Sequence, residues 1–229
     1  MKIRSILLSS IIACMLPVFV IAQDCGYYSM TKGMTFSYQN LDAKGKVTSS
    51  SKSTCMDVVQ IPAGTEYKVQ AEVTDSKNNK STHEYAMRCE GGKFYVDMRN
   101  FVDPKSMESF KDMEVTVDSK DMMYPAGLAA GQTLPDASIT ISAGSGGVSL
   151  MNLVVNITNR KVAGTESVTV PAGTFECYKI TYDVETKLMF KISTTVTEYV
   201  NMGAGNVKTE TYDKKGKLMG STVLTELKK

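Results

Sequence analysis

Hydrophobic and polar residues alternate along much of the chain, which is the pattern of half-buried β-strands. From Tyr178 to Glu185, every even position carries an aromatic or aliphatic side chain and every odd position a polar or charged one. The corner Pro171–Thr174 precedes this stretch, and the same Pro-Ala-Gly-Thr sequence occurs at Pro62–Thr65, ahead of a second alternating stretch. Because proline fixes φ and glycine permits unusual backbone angles, each corner is predicted to lead into a new strand that buries one face.

Two further turn sequences, Asp42–Gly45 and Asp213–Gly216, are typical of β-hairpins. In each, the aspartate can accept a hydrogen bond from the backbone two residues on, and the glycine supplies the positive φ that closes the turn. The hairpin precedes the proline corner in the first part of the chain and follows it in the last part. This reversed order predicts an internal duplication in which the first and last strands are related by approximate symmetry.

The alternation predicts a run of antiparallel strands separated by turn residues. The predicted strands are Met34–Gln39, Lys46–Asp57, Glu66–Thr74, Thr82–Cys89, Phe94–Met98, Ser138–Ala143, Val148–Val162, Ser167–Val170, Thr174–Thr186, Met189–Val200, Asn206–Tyr212 and Leu218–Leu227. We therefore predict a mainly all-β fold, a single antiparallel curved sheet or half-barrel of about ten to twelve strands.

One short helix is predicted to pack on this sheet. It spans Asp103–Met113, with Asp103 as the N-cap and Pro104 at the first helical position, and its apolar side carries Met107 and Phe110. The segment Asp118–Pro135 shows no clear period and is predicted to be a long loop, which is often a functional or mobile feature of a compact domain.

Residues 1–22 have the features of a secretory signal peptide: two early basic residues, an apolar stretch interrupted by Pro17, and a small residue, Ala22, before polar positions. A lipid-attachment box at Ile11–Cys14 is the alternative, but it would leave an apolar tether where a polar one is expected. We expect cleavage near Ala22, an exported chain in the periplasm or outside the cell, and a single β-rich domain over residues 23–229 with no transmembrane segment.

Charge argues against several classes of partner. Removal of residues 1–22 takes away two of the 26 basic residues and none of the 24 acidic ones, so the mature chain is formally neutral. Nucleic-acid binding depends chiefly on neutralising phosphates and is therefore not expected. The sequence also contains no cationic amphipathic helix of the kind that binds a membrane surface.

Four cysteines remain after cleavage, and an even number in an exported chain predicts disulfides. Three connectivities are open. Cys177 is expected on the solvent-exposed face beside Lys179, so a bridge there would lie at the sheet surface. The absence of a Cys-x-x-Cys pair and the presence of a single histidine argue against a metal site. The disulfide candidates are Cys25, Cys55, Cys89 and Cys177.

Catalytic motifs are not evident, and we expect neither an enzyme nor a cofactor. The single histidine, His83, lies in a polar stretch beside a predicted turn, where a solvated or capping role is expected. Gly144–Gly147 lacks the strand-to-helix context of a nucleophile elbow, and Gly203–Val207 lacks the third glycine of a dinucleotide loop. Both are interpreted as turns.

The strand Val148–Val162 is apolar on both faces, which is typical of a central strand covered on both sides. With the helix above it and the long loop beside it, this strand is the predicted place for an apolar ligand. The ligand-binding candidates are Met107, Phe110, Met151, Leu153, Val155 and Ile157.

Several separate sequences resemble a known family of exported proteins. They are Gln23–Cys25, Cys89–Met98, Gly131–Asp136, Asn156–Arg160, Pro171–Ile180 and Glu210–Met219. Together they are similar to the TapB-type family of Gram-negative envelope proteins, a domain of unknown function. The resemblance implies a curved-sheet fold like that of the lipoprotein carriers LolA and LolB, and it supplies no catalytic residue. Cys55 lies outside these sequences, which puts a disulfide to it in doubt.

Two functions fit these observations. The first is binding of an apolar ligand, or of another envelope protein, by the curved sheet. The alternative is a structural or interaction protein whose core is filled and which takes no small molecule.

Overall fold

The computed structural model describes residues 25–26, 30–101, 113–146 and 148–229. The signal peptide lies outside them, as does the predicted helix apart from Met113, so Met107 and Phe110 are not described. The described chain forms thirteen β-strands and one 3-10 helix at Met98–Phe101. The strands are β1 Thr35–Asp42, β2 Val47–Ile61, β3 Gly64–Asp75, β4 Lys80–Glu90, β5 Lys93–Val96, β6 Glu114–Lys120, β7 Met122–Pro125, β8 Ala137–Ser145, β9 Val148–Val170, β10 Gly173–Lys187, β11 Lys191–Asn201, β12 Gly205–Asp213 and β13 Leu218–Lys228.

All thirteen strands belong to one antiparallel sheet, in the order β6-β8-β9-β10-β11-β12-β13-β1-β2-β3-β4-β5-β7. The all-β fold with a single curved sheet is confirmed. The two edge strands, β6 and β7, are separated in sequence by Asp121 alone, so the edges of the sheet must lie near each other and the sheet is rolled. The first and last strands, β1 and β13, pair in its middle.

The predicted loop Asp118–Pro135 was wrong over its first part, which contains the end of β6 and all of β7. Every side chain of β6 is exposed, so the strand has no buried face to produce a contrast in the sequence. Strand β7 has four residues, too few for a clear alternation. The prediction that both faces of the Val148 strand are covered was also wrong at Leu150, which is 63% exposed.

The interior is filled at one end by large apolar side chains from neighbouring strands. Met34, Tyr67, Val69 and Phe94 are buried there. Their pairing brings them together: Thr35 lies opposite Thr54, Cys55 opposite Val69, and Tyr67 opposite Met87. This half of the fold is a packed core in the ordinary sense.

The two predicted hairpins have the same turn geometry. The carboxylate of Asp42 accepts hydrogen bonds from the backbone N–H groups of Lys44 and Lys46 at 2.8 and 2.9 Å. Asp213 does the same for the second and fourth residues after it, also at 2.8 and 2.9 Å. The hairpins β1–β2 and β12–β13 lie on either side of the central β13–β1 pair. The proline corners join β2 to β3 and β9 to β10, which are not equivalent places, and internal duplication stays a prediction.

The structure pairs two of the four cysteines. Cys25 and Cys89 form a disulfide with 5.8 Å between their Cα atoms and 64 residues between them in sequence. The other two disulfide candidates, Cys55 and Cys177, are free and buried, in keeping with the doubt about a bridge to Cys55. Cys177 is only 1% exposed, so its expected place at the sheet surface was wrong. Burial, with some repulsion from Glu176, raises the pKa of the Cys177 thiol to about 11.

Candidate functional site

The other end of the interior contains a cavity of about 450 Å³ that is partly open to solvent. This volume lies in the range of small-molecule sites, about 300 to 1,000 Å³. The lining side chains come from most strands of the sheet, with Asn100 from the 3-10 helix. They are Phe36, Tyr38, Asn40, Ser51, Ser53, Ala71, Val73, His83, Tyr85, Met87, Val96, Asn100, Met122, Tyr124, Tyr182, Glu198, Asn206, Thr209 and Thr222.

The cavity wall combines an apolar part with a part rich in hydrogen-bonding groups. The apolar residues are Phe36, Ala71, Val73, Met87, Val96 and Met122, whereas the rest carry hydroxyl, amide, imidazole or carboxyl groups. Such a wall can surround an apolar body and orient a polar group through a few hydrogen bonds. The cavity is therefore suited to an amphipathic molecule.

Glu198 is the single acid among the lining residues, and the described lining contains no lysine or arginine. It lies in β11 with 5% of its surface exposed, and one oxygen of its carboxyl group accepts a hydrogen bond of 2.8 Å from the Tyr124 hydroxyl. Burial raises the pKa of Glu198, although the Tyr124 hydrogen bond and the charge of Arg160 partly oppose this. In the described part of the chain, no ion pair includes Glu198.

Arg160 packs over the ring of Tyr124. Its guanidinium carbon lies 4.9 Å from the centre of the Tyr124 ring, and its Nη1 donates hydrogen bonds to the carbonyl oxygens of Met123 at 3.0 Å and Pro135 at 2.8 Å. Arg160 is fully buried. Burial and the nearby Glu198 carboxyl group raise the pKa of Tyr124 well above its ordinary value, so this hydroxyl remains a donor.

Hydrogen bonds between strands fix the positions of other polar side chains of the wall. The Tyr38 hydroxyl donates to the carbonyl oxygen of Asn206 at 2.7 Å, and the Thr222 hydroxyl donates to the Asn40 side chain at 2.6 Å. The Asn100 side-chain nitrogen is buried and has no hydrogen-bond partner among the described residues. A ligand in the cavity could accept a hydrogen bond from this amide nitrogen.

His83 is also part of the wall, which differs from the solvated or capping role expected of it. It lies on β4 with its ring centre 6.0 Å from that of Tyr85, and it is half-buried. The turn after β3 ends at Asn79, whose carbonyl oxygen accepts a hydrogen bond from the Asp75 N–H, and β4 begins at Lys80, two residues before the predicted start at Thr82. His83 is therefore inside the strand rather than at its start.

The predicted ligand-binding residues lie elsewhere on the sheet. Met151, Leu153, Val155 and Ile157 share one face of β9; the first three are half-buried against the core and Ile157 is fully buried. The structure brings these four together, but none of them lines the cavity. The prediction of a ligand at this face stays a prediction.

Sequence reasoning missed most of the lining residues, although one signal for them was present. Glu198 is in phase with Val196 and Val200, both of which are buried, so the alternation itself placed an acid on the inner face of β11. An inward-facing acid in a strand is unusual because burial of an unpaired charge is costly. Met122 and Tyr124 belong to the segment expected to be functional, but as strand residues rather than as a loop.

No group of three or more His, Cys, Asp or Glu side chains among the described residues could hold a metal ion. Within the same ranges, no helix has both the length and the apolar character needed to span a membrane.

The model of a protein family described as DUF3108-like matches residues 31–224. The chain belongs to this family. Its fold is similar to a solved structure from Bacteroides fragilis, inferred to be an exported protein with a YmcC-like fold, with 21% identity, a TM-score of 0.72, and coverage of 89% of this chain and 99% of the other. A protein from Parabacteroides distasonis, inferred to be a lipoprotein, is 26% identical, with a TM-score of 0.71 and coverage of 88% and 98%. Among curated proteins, no sequence matches this chain.

Proposed function

We propose that this chain is an exported binding protein that holds an amphipathic molecule with an uncharged or cationic head group in the cavity of its rolled sheet. The observation that carries the proposal is the buried carboxyl group of Glu198 in the wall of a cavity of about 450 Å³. A structural protein with a filled interior has no need of such a cavity, whereas a binding protein requires one.

The charge of the wall argues for this head group. Glu198 is the one acid of the described lining, which contains no lysine or arginine, so a bound carboxylate or phosphate would have neither of these cations to pair with. A buried anion without a partner is strongly disfavoured. A hydroxyl group can instead donate to Glu198, and a protonated amine can pair with it. The six apolar lining residues are available to the rest of the molecule.

Export is part of the proposal. Residues 1–22 read as a signal peptide, and the Parabacteroides relative is inferred to be a lipoprotein. The resemblance to TapB-type envelope proteins, and the analogy with the LolA and LolB carriers, belong here as well, because both describe proteins of the cell envelope. The analogy rests on fold alone.

We also propose that the protein binds and does not catalyse. The wall combines one acid, one histidine and several hydroxyl groups, but among the described residues no hydrogen bond joins His83 to Glu198 or to a serine, as a nucleophile and its base would require. His83→Ala is expected to leave the cellular function of the parent intact. A folded but inactive His83→Ala protein would revive an enzymatic role.

A matched series of ligands tests the proposal. Lauroylglycerol, dodecylamine and laurate carry comparable chains with uncharged, cationic and anionic head groups, and native mass spectrometry can measure the binding of each to the purified mature protein. We expect the first two to bind at least about tenfold more tightly than laurate, a difference of about 1.4 kcal/mol. Equal binding of all three, or preference for laurate, contradicts the proposal.

Three variants locate the site. Glu198→Gln should abolish the preference for dodecylamine over laurate. Ala71→Leu places a larger side chain in the apolar part of the wall and reduces the cavity volume, so it should weaken binding of every ligand. Leu153→Ala is the matched control, since Leu153 lies outside the cavity. If only Leu153→Ala reduces binding, the ligand occupies the face of β9 predicted from the sequence. If no ligand binds and none copurifies from the native host, the structural alternative is correct.

A further inference from the structure

In the described part of the chain, five turns of the sheet lie at one end of the fold. Strands β1, β3, β8, β10 and β12 run toward this end, and each turns back into the next strand along the chain. Antiparallel pairing of β13 with β1, β2 with β3, β9 with β10 and β11 with β12 keeps these turns side by side. The corners at Pro62 and Pro171 lie at the opposite end.

Four of these turns and their immediate flanks gather lysines that are scattered through the sequence. We call them the lysine rim: Lys44, Lys46, Lys77, Lys80, Lys187, Lys191, Lys214, Lys215 and Lys217. Acids at the same end are fewer, and most are engaged locally. Asp42, Asp75 and Asp213 accept backbone hydrogen bonds inside their turns, and Glu185 pairs with Lys191 at 2.6 Å. Even when Glu114 at the start of β6 is counted with these acids, the lysines outnumber the acids, so this end of the described fold is basic.

One of the five turns is apolar and projects into solvent. Leu188, Met189 and Phe190, which we call the apolar tip, connect β10 to β11 and are 50%, 84% and 79% exposed. Ile192 follows with 59% exposed, and Lys187 and Lys191 flank the tip on both sides. Adjacent exposed apolar side chains of this size mark an interaction site more often than an ordinary surface.

We propose that the lysine rim and the apolar tip dock this protein on the surface of a membrane that contains anionic lipid, with the tip inserted among the lipid head groups. Lysines attract anionic head groups at a membrane surface, and apolar side chains beside them gain by leaving water. The long stems of Lys187 and Lys191 let their ammonium groups reach the head groups while the tip is buried.

Other occupants fit these features less well. A second copy of the chain facing the same end would bring two basic rims together, which is repulsive. A soluble polyanion would match the lysines but would leave Phe190 and Met189 exposed. A membrane surface satisfies both the charge and the apolar side chains.

The docking also bears on the cavity, although the proposal stands without it. The lining residues Asn40, Ser51, Val73 and His83 are those nearest the turns of the lysine rim in their strands. The cavity therefore lies in the half of the interior that would face the lipid.

The chain contains no tryptophan, so a single tryptophan placed at the tip reports on insertion. Phe190→Trp should shift its fluorescence to the blue when the mature protein is mixed with vesicles of phosphatidylcholine and phosphatidylglycerol, and not with phosphatidylcholine alone. Met56→Trp is the matched control, because Met56 is 45% exposed on β2 away from the rim, and its fluorescence should not change. No shift for Phe190→Trp with anionic vesicles overturns the proposal.

Vesicle flotation separates the two contributions. Changing Lys214, Lys215 and Lys217 together to glutamine should weaken binding to anionic vesicles by about tenfold or more, whereas the same change at the exposed Lys68, Lys93 and Lys161 should have little effect. Met189→Ser with Phe190→Ser should weaken the binding that survives in high salt. If both lysine sets act equally, or the serine variant binds as tightly as the parent, the site binds polyanions in general and the membrane proposal is wrong.

Discussion

The guanidinium group of Arg160 lies over the ring of Tyr124, 4.9 Å from its centre, and joins two strands that are far apart in the order of the sheet. Arg160 belongs to β9 and Tyr124 to the edge strand β7. The same side chain donates to the carbonyl oxygens of Met123 and Pro135. Arg160 thus closes the rolled sheet, and because the Tyr124 hydroxyl donates to Glu198, it also positions the polar wall of the cavity.

Loss of this contact should destabilise the fold. Arg160→Met removes the charge and both hydrogen bonds, and leaves two backbone carbonyl groups without their donor, for which we expect a cost of about 3 to 5 kcal/mol in the free energy of unfolding. Arg160→Lys should also be costly, since an ammonium group does not reproduce the planar donor and stacking geometry. Chemical denaturation measures both. Lys161→Met, at an exposed neighbouring position, is the control and should change stability by less than about 0.5 kcal/mol.

Glu198 should make stability depend on pH. Its pKa is raised by burial in the folded state above the value of about 4.3 for an unfolded chain. The folded protein therefore binds this proton more tightly than the unfolded chain does. The contribution of Glu198 to stability is most favourable below about pH 4.3 and declines as the pH rises through the folded pKa. Glu198→Gln cannot ionise and can still accept the Tyr124 hydrogen bond.

We expect the stability of Glu198→Gln relative to the parent to increase from pH 4 to pH 8, as measured by urea unfolding at each pH. Subtraction of the two curves isolates the contribution of Glu198, because the two proteins differ at this residue alone. A difference that stays constant or falls with pH would show that Glu198 is not held in a site that favours its protonated form.

The free cysteines give a test of the covalent structure. The denatured, unreduced mature protein should contain two reactive thiols, from Cys55 and Cys177, because Cys25 and Cys89 are bridged. In the folded protein both thiols should react slowly at pH 8, since each is buried and its pKa is raised. Mass spectrometry after alkylation counts the modified sites. Four thiols, or none, would contradict the assigned bridge.

Alternation along the strands predicted most of the sheet because most strands bury one face and expose the other. The strand Thr174–Thr186 is a clear case, observed as Gly173–Lys187. Where a strand lacks this contrast, as in β6, the sequence pattern does not predict it. Closure of the sheet could not be predicted either, since it depends on contacts such as that of Arg160 with Tyr124, between residues with no shared local signal.

The functional proposals rest on the cavity wall and the lysine rim. Both show the same limit of what can be predicted from the sequence. Glu198 was detectable as an acid in phase with buried valines, but only the fold shows that a cavity lies beside it. The lysine rim was not detectable, because no two of its turns are adjacent in sequence and the chain as a whole is formally close to neutral. Antiparallel topology gathers these charges at one end, and the net charge of the chain gives no sign of this arrangement.

The two Pro-Ala-Gly corners offer a matched pair of substitutions. Gly64 and Gly173 both have positive φ, 154° and 136°, and both begin a strand. A Cβ atom on Gly64 would lie 1.9 Å from the carbonyl oxygen of Cys89, whereas one on Gly173 would come no nearer than 3.7 Å to a neighbour, the ring of Phe175. The backbone of Cys89 is tied to Cys25 by the disulfide and to Phe94 by strand pairing, so it has little freedom to move.

Gly173→Ala should therefore cost only the strain of its backbone conformation, about 1 to 3 kcal/mol. Gly64→Ala carries a similar strain and adds a collision with the backbone, so we expect it to be the more destabilising by at least about 1 kcal/mol and to shift the β3–β4 pairing at Glu90. Thermal unfolding of the two variants, followed by circular dichroism, gives the comparison. Equal loss of stability would mean that the β4 backbone at Cys89 moves to accommodate the added methyl group. The close packing of this corner would then not restrain β3.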